Sequence, residues 1–305
     1  MIAGNMLMMG HLKTSADNSR LPFSVVVMDL KSVDRLLQHS GLFRQHTIDR
    51  LDAHNSHQAI FNFKKVDWQA VSAVLFLLGR YPGEGRYFDQ PCLILNKRSA
   101  RVRQPGDLCC PGGRISPRLD AGLAALLRLP QSPLTRWPHW RDWRRERLRQ
   151  AEWLRLLLAT GLRESAEEMR LNPFGVTFLG PLPAQSLVMF RRVIYPMAVW
   201  VSDQKRFYPN WEVEKIVYIP LRNLFDPAKY ARYCLKIQNP SAGDILNTFP
   251  CFRYEKAGEA EILWGATYRI TVGFLKRVFD FEPPDMHSLP EIQGRLGKSY
   301  LSRAS

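Results

Sequence analysis

The chain has no long apolar run. Its most apolar stretches, SAVLFLLG from Ser72 and WLRLLLATGL from Trp153, fall well short of the ~20 residues a membrane-spanning helix needs. No spanning segment and no membrane partner are therefore expected. Cysteine is scarce and scattered. The five residues Cys92, Cys109, Cys110, Cys234 and Cys251 are odd in number and form no CxxC pair, which argues against a disulfide framework and for reduced thiols. Adjacent Cys109 and Cys110 read as small apolar residues at the end of a strand rather than a redox pair. The seven histidines show no paired metal-ligand spacing. The start, MIAGNMLMMGHLKTS, has neither the basic head nor the long apolar core of a signal peptide, so the expected location is cytoplasmic. There is no internal repeat.

Acidic residues are also short. Lys and Arg number 43 against 28 Asp and Glu, a formal net charge of +15. Such an excess attracts anions: nucleotides, phosphorylated cofactors, nucleic acid or acidic membranes. Charge alone does not choose among them. The rest of the composition is that of an ordinary globular protein, and 305 residues suffice for one large domain or two small ones with a real core.

Residues 1–22 read as a tail, 23–285 as one domain and 286–305 as a C-terminal tail. From Leu30 to about Leu51 the spacing gives one or two amphipathic helices. SAVLFLLGRY (72–81) and PCLILNKRS (91–99) read as strands around a turn-rich PGEGRYFDQ. A loop then leads to Gly112 and Gly113. Residues from about 115 to 155 are unusual. Between Arg136 and Arg149 there are six arginines against Asp142 and Glu146, interleaved with Trp137, Trp140 and Trp143. A helix is expected from near Trp140 to Met169, with a break. VTFLGPLP, FRRVIYPMAVWVS and VEKIVYIPL read as strands, DILNTFPCFRYE and AEILWGAT as shorter ones, and TYRITVGFLKRVF as a closing helix. This alternation predicts an α/β fold, a mixed sheet with helices on both faces.

The chemistry-bearing stretch is RESAEEMRL, 163–171. Glu164, Glu167 and Glu168 stand at i, i+3 and i+4, so they share one helix face. Like charges at that spacing repel and call for a countercharge. One reading is a solvated acidic face paired with Arg155, Arg163 and Arg170. The other is a cradle for a hard divalent cation, which takes carboxylate oxygens together with substrate phosphates.

The order strand, Pro-Gly-Gly, helix, RESAEE resembles the Nudix hydrolase signature, G-x5-E-x7-R-E-U-x-E-E-x-G-U with U aliphatic. Gly113 matches its first glycine, and Arg163, Glu164, Glu167, Glu168 and Leu171 match its end. The departures are Ser165 for an aliphatic residue and Arg170 for the helix-ending glycine, so a different C-terminal turn is expected. From Gly113 to Arg163 there are 50 positions where the signature has 14, leaving 36 extra residues inside the motif. Leu119 falls where the first glutamate belongs, and neighbouring Asp120 is the stand-in. LILNKRSARVRQPGDLCCPGG (93–113) is similar to the motif of the coenzyme A pyrophosphatase branch of that family, through Arg98, Ser99, Arg103, Gly106, Pro111, Gly112 and Gly113. PNWEVEKIVYIPL (209–221), FPCFRY (249–254) and ILWGATYRI (262–270) resemble later segments of the same branch.

The resemblance implies a Nudix fold, an α/β/α sandwich around a mixed sheet, here with extra N-terminal helices and a helical insertion at about 115–155. It implies metal-dependent hydrolysis of a nucleoside diphosphate linked to another moiety, with Mg²⁺ or Mn²⁺ held by Glu164, Glu167 and Glu168. Glu167, Glu212 and Arg163 are the candidate catalytic residues, with Glu214 the rival of Glu212. Arg98, Arg103, Gly112 and Gly113 are the candidate substrate-binding residues. Coenzyme A or acyl-CoA is the favoured substrate. ADP-ribose, NADH, a nucleotide sugar or a capped RNA end stays open, as does a non-catalytic nucleotide-binding regulatory module. No RNA-binding motif accompanies the basic insertion, so nucleic acid is not the expected partner. The Arg/Trp segment reads either as a lid whose tryptophans stack on the base or as the arm of a homodimer.

Overall fold

The computed structural model describes residues 29–55, 70–187, 192–237, 245–296 and Tyr300. The predicted N-terminal tail lies outside them. In chain order the helices are α1 (Leu30–Gln38), α2 (Ser40–Asn55), α3 (Pro117–Leu126), α4 (Trp140–Glu146), α5 (Leu148–Met169) and α6 (Gly265–Phe279). The strands are β1 (Val71–Arg80), β2 (Pro91–Arg98), β3 (Leu108–Cys109), β4 (Gly112–Arg114), β5 (Val176–Pro181), β6 (Gln185–Leu187), β7 (Arg192–Val201) and β8 (Val213–Pro220). They continue with β9 (Tyr230–Ile237), β10 (Ile245–Lys256), β11 (Glu259–Trp264) and β12 (Glu291–Leu296).

β1 is the spine. Nine of its ten residues are buried, as a strand covered on both faces requires. Its side chains alternate between two helical layers. A Cβ placed on Gly161 of α5 would come within 2.7 Å of Leu75 Cδ2, so α5 lies close on one face. Phe76 points the other way and meets Phe274 of α6 at a ring distance of 4.7 Å. Trp200 of β7 meets Phe43 of α2 at 5.8 Å. The expected sandwich is therefore present, with α5 on one side and α2 and α6 on the other. The sheet is mixed: β1 runs parallel to β7 and antiparallel to β2 and β4.

Two features differ from the sequence reading. The later strands do not extend this sheet. β9–β12 form a second, four-stranded one in the order β11-β10-β9-β12, and β10, expected to be short, runs for 12 residues. The segment read as a C-terminal tail also contains structure. Residues 291–296 pair in parallel with β9, and buried Tyr300 hydrogen-bonds Asp107. The pairing is distant in sequence and EIQGRL alternates weakly, so no local pattern announced it.

The insertion is neither lid nor arm. Trp137, Trp140 and Trp143 are 2%, 6% and 4% exposed. Trp137 packs edge-on against Phe178 of β5 at 5.1 Å and against Trp143 at 5.4 Å. Trp143 Nε1 donates to Asp52 at 3.4 Å, and Arg147 donates to the Asn55 carbonyl at 2.8 Å. The break between α4 and α5 falls at Arg147, whose backbone leaves helical geometry (φ −136, ψ 50). Arg136 donates to the carbonyls of Phe174 and Val176 at the outer side of β5. The insertion thus seals one edge of the sheet, where bare backbone groups would invite pairing. The sequence reading left these tryptophans free to stack on a ligand or a second copy; the structure buries all three in the core. Trp137→Ala should cost about 3–5 kcal/mol in a denaturant melt, while exposed Arg141→Ala should stay within about 0.5 kcal/mol; a neutral Trp137→Ala would restore the lid reading.

Candidate active site

Arg163 sits at the centre of an acidic cluster on the last turns of α5. Its Nε donates to Asp120 at 2.6 Å, one terminal nitrogen to both oxygens of Glu167 at 3.1 Å, and the other to Glu164 at 2.8 Å and the Arg114 carbonyl at 3.1 Å. Burial alone would disfavour the guanidinium charge. The bonds to Asp120, Glu167 and Glu164 outweigh it and raise the pKa above the ordinary arginine value. Asp120 is wholly buried. Besides Arg163 it accepts from the Ser116 amide at 2.6 Å and the Thr160 hydroxyl at 2.8 Å. α3, which follows closely on β4, thus lies alongside α5 and brings Asp120 to Arg163.

Glu168 is held differently. Asn96 Nδ2 of β2 donates to it at 2.8 Å and the Gly112 amide at 3.3 Å, and it has no ion pair among the described residues. Burial lifts its pKa to about 8, the charges of Glu164 and Glu212 push the same way, and the Gly112 amide and Arg98 oppose. Burial likewise raises Glu164, against the pull of Arg163. The glycine pair makes this approach possible. Gly112 has φ +144, and a Cβ there would lie 2.4 Å from the Ala73 carbonyl oxygen. A Cβ on Gly113 would lie 2.5 Å from the Glu164 carboxyl carbon. Larger residues would push β4 off both β1 and the carboxylates.

Glu212 reaches the site because its segment caps α5. The amides of Asn210 and Tyr208 donate to the Glu168 and Met169 carbonyls at 2.8 and 3.0 Å, filling acceptors that a helix C-terminus leaves open. Asn210 Oδ1 then takes the Glu212 amide at 2.9 Å. Glu214 instead faces Lys97 at 3.4 Å, away from this group. Arg98 donates to the Arg103 carbonyl at 2.7 Å and adds positive charge near Glu168. The Arg103 side chain is exposed; its backbone, not its guanidinium, makes the contact. Arg98 thus braces the 99–107 loop. Asp107 in that loop accepts from Trp264 Nε1 at 3.1 Å and from Tyr300. Burial raises the Cys109 thiol to about 12, with the Glu168 charge acting the same way, so it is not a thiolate.

At the helix end, Arg170 stands where the resembled motif has glycine. It adopts the left-handed conformation (φ 55, ψ 40), and its amide bonds the Ala166 carbonyl at 3.0 Å, the single bond of an αL cap. Gln204 clamps it by donating to the Arg170 carbonyl and accepting from the Asn172 amide, both at 2.8 Å. Ser165 is fully buried, with its hydroxyl satisfied by the Gly161 carbonyl at 2.7 Å. Asn96 escaped the sequence reading. Its signal was an amide side chain inside the otherwise apolar run PCLILN.

The oxygen-only set of Glu164, Glu167, Glu168 and Glu212 suits a hard cation, and Asn96 Oδ1, buried beside it, has no hydrogen-bond partner. Among the described residues no three acidic, histidine or cysteine side chains converge as a ready-made cage; Arg163 engages Glu164 and Glu167 directly.

Comparison with solved structures returns Nudix proteins at low overall similarity. The Nudix hydrolase RenU of M. smegmatis is 13% identical, covering 50% of this chain and 71% of that one, with a TM-score of 0.29. An Ap4A hydrolase of C. elegans, solved as a binary complex, is 12% identical over 51% of this chain and 83% of that one, at 0.31. The NUDIX domain of Shewanella oneidensis NrtR, solved with ADP ribose, is 16% identical over 57% and 84%, also at 0.31. No family model and no curated protein matches the sequence.

Two outcomes are expected. Arg170→Gly should stabilise the protein by about 0.5–1 kcal/mol, the left-handed strain relieved less the entropy of glycine, as read by denaturant midpoint. The raised pKa of Glu168 means the folded state holds its proton more tightly than the unfolded chain. Stability should be full below the ordinary value of 4.5 and fall as pH rises toward about 8. In chelator, thermal midpoints across that window should decline for the parent and flatten for Glu168→Gln.

Proposed function

We propose that the protein is a Nudix-type hydrolase that cuts a nucleoside diphosphate linked to another moiety, with coenzyme A or acyl-CoA as substrate and 3′,5′-ADP and (acyl-)4′-phosphopantetheine as products. The observation that carries this reading is the ring of carboxylates around Arg163, Asp120 from α3 with Glu164 and Glu167 from α5. The glycine pair pressed against Glu164 and the arginine-braced loop before it support the same reading.

Glu164, Glu167 and Glu168 would hold Mg²⁺ or Mn²⁺. When bound, such an ion offsets the charge on the phosphoryl oxygens and lowers the pKa of a water nucleophile. Arg163 fixes the orientation of Glu164 and Glu167 and lowers their mutual repulsion. Glu212, held on the cap of α5, would accept a proton from water. Arg98 lends positive charge to a polyanionic substrate entering over the loop.

The purified protein should be incubated with coenzyme A, ADP-ribose and NADH, each with Mg²⁺, Mn²⁺ or chelator, and products separated by chromatography. The expected result is metal-dependent release of 3′,5′-ADP, reduced on the order of 100-fold or more in Glu167→Gln. Cleavage of ADP-ribose or NADH alone would keep the chemistry and change the substrate. Binding without turnover of any of them would mark a regulatory nucleotide-binding module.

A further inference from the structure

The outer face of α3 is apolar. Its inner side carries buried Asp120 and Ala124. Its solvent side carries Leu119 and Leu126, 61% and 45% exposed, one above the other around exposed Ala121, Gly122 and Ala125. Leu129, 52% exposed, and Pro130 continue the patch. A surface helix normally turns polar side chains outward, and a contiguous apolar patch with a polar rim marks a contact site.

The rim here is mainly basic. Residues 115–155 hold nine arginines and no lysine against four acidic residues, one of which, Asp120, is buried. Arg118 and Arg128 flank the leucines, and Arg128 reaches Glu152 only at 3.5 Å. α3 and α5 lie antiparallel, since Asp120 meets Arg163 and Arg155 donates to the Ala124 carbonyl. This sets the start of α5, with Leu148 at 62% exposure, beside the end of α3. Next to it α4 turns Trp140 and Trp143 inward and Arg141, Arg144 and Arg145 outward; Arg149 is exposed as well. Of these, Arg145 has a carboxylate nearby, Glu146 at 3.4 Å.

We propose that this face of the insertion docks on an anionic lipid bilayer, with the leucines entering the acyl boundary and the arginines lying among headgroup phosphates. A second copy of the chain fits worse, because a two-fold contact would press the same basic rim against itself. Nucleic acid fits worse as well. It would use the arginines but leave the leucines in water, and the tryptophans that would stack on bases are buried in the core. The proposal does not depend on the reaction assigned to the site.

The test is co-sedimentation of the full chain with vesicles of phosphatidylcholine alone or with added phosphatidylglycerol. Binding should require the anionic lipid and weaken with salt. It should fall on the order of 100-fold when Arg141, Arg144 and Arg145 are all changed to Gln, and about 10-fold or more for Leu119→Ser with Leu126→Ser. Circular dichroism melts would show each variant folded, as these side chains face solvent. Absence of binding to anionic vesicles, or equal binding to neutral ones, would overturn the proposal. So would a dimer in analytical ultracentrifugation that the leucine changes break while vesicles are ignored, which assigns the face to a second copy. Retention of an RNA oligonucleotide, lost with the arginines and without vesicle binding, would overturn it in favour of nucleic acid.

Discussion

Everything near the site depends on one buried cation. Arg163 stands among Asp120, Glu164 and Glu167, and carboxylates that close repel one another unless a countercharge lies between them. The same bonds decide where the insertion goes. Asp120 is wholly buried against Arg163, so the chain that leaves after α3 must return α5 to that spot. The residues inserted inside the motif are free to elaborate elsewhere, provided this contact is kept.

A second constraint is close approach. Gly112 and Gly113 let β4 press on β1 and on Glu164 at once, and the 208–212 segment caps α5 while presenting Glu212. Both are backbone devices. They fix the carboxylates through elements that are rigid for other reasons, as a site built for accurate placement requires.

Much of this was legible in the sequence because it is local. The i, i+3, i+4 glutamates, the glycine pair and the strands β1, β2, β5, β7 and β8 each leave a short-range pattern; the short strands β3, β4 and β6 do not. Asp120 was legible only as the neighbour of a mismatched leucine. The rest was hidden for physical reasons. The tryptophans at 137, 140 and 143 read as groups for a lid or a dimer arm, and nothing local says that Phe178 and Asp52 lie opposite. Arg170 carries no mark that a neighbouring glutamine will hold it in a glycine's conformation. Asn96 matters through its partner, 72 positions away. β12 pairs with a strand far up the chain and looks like a tail when read alone.

The bond between Tyr300 and Asp107 joins residues 193 positions apart, and the Tyr300 carbonyl also accepts from Gln104 in the same loop. Contacts of such separation form late, since a long stretch of chain must be ordered before they return anything. On a ribosome the loop beside the carboxylates would wait, braced at one end by Arg98, until some two hundred further residues had emerged. The acidic cluster needs no residue beyond Glu212, so it can assemble while the loop beside it still awaits its last partner.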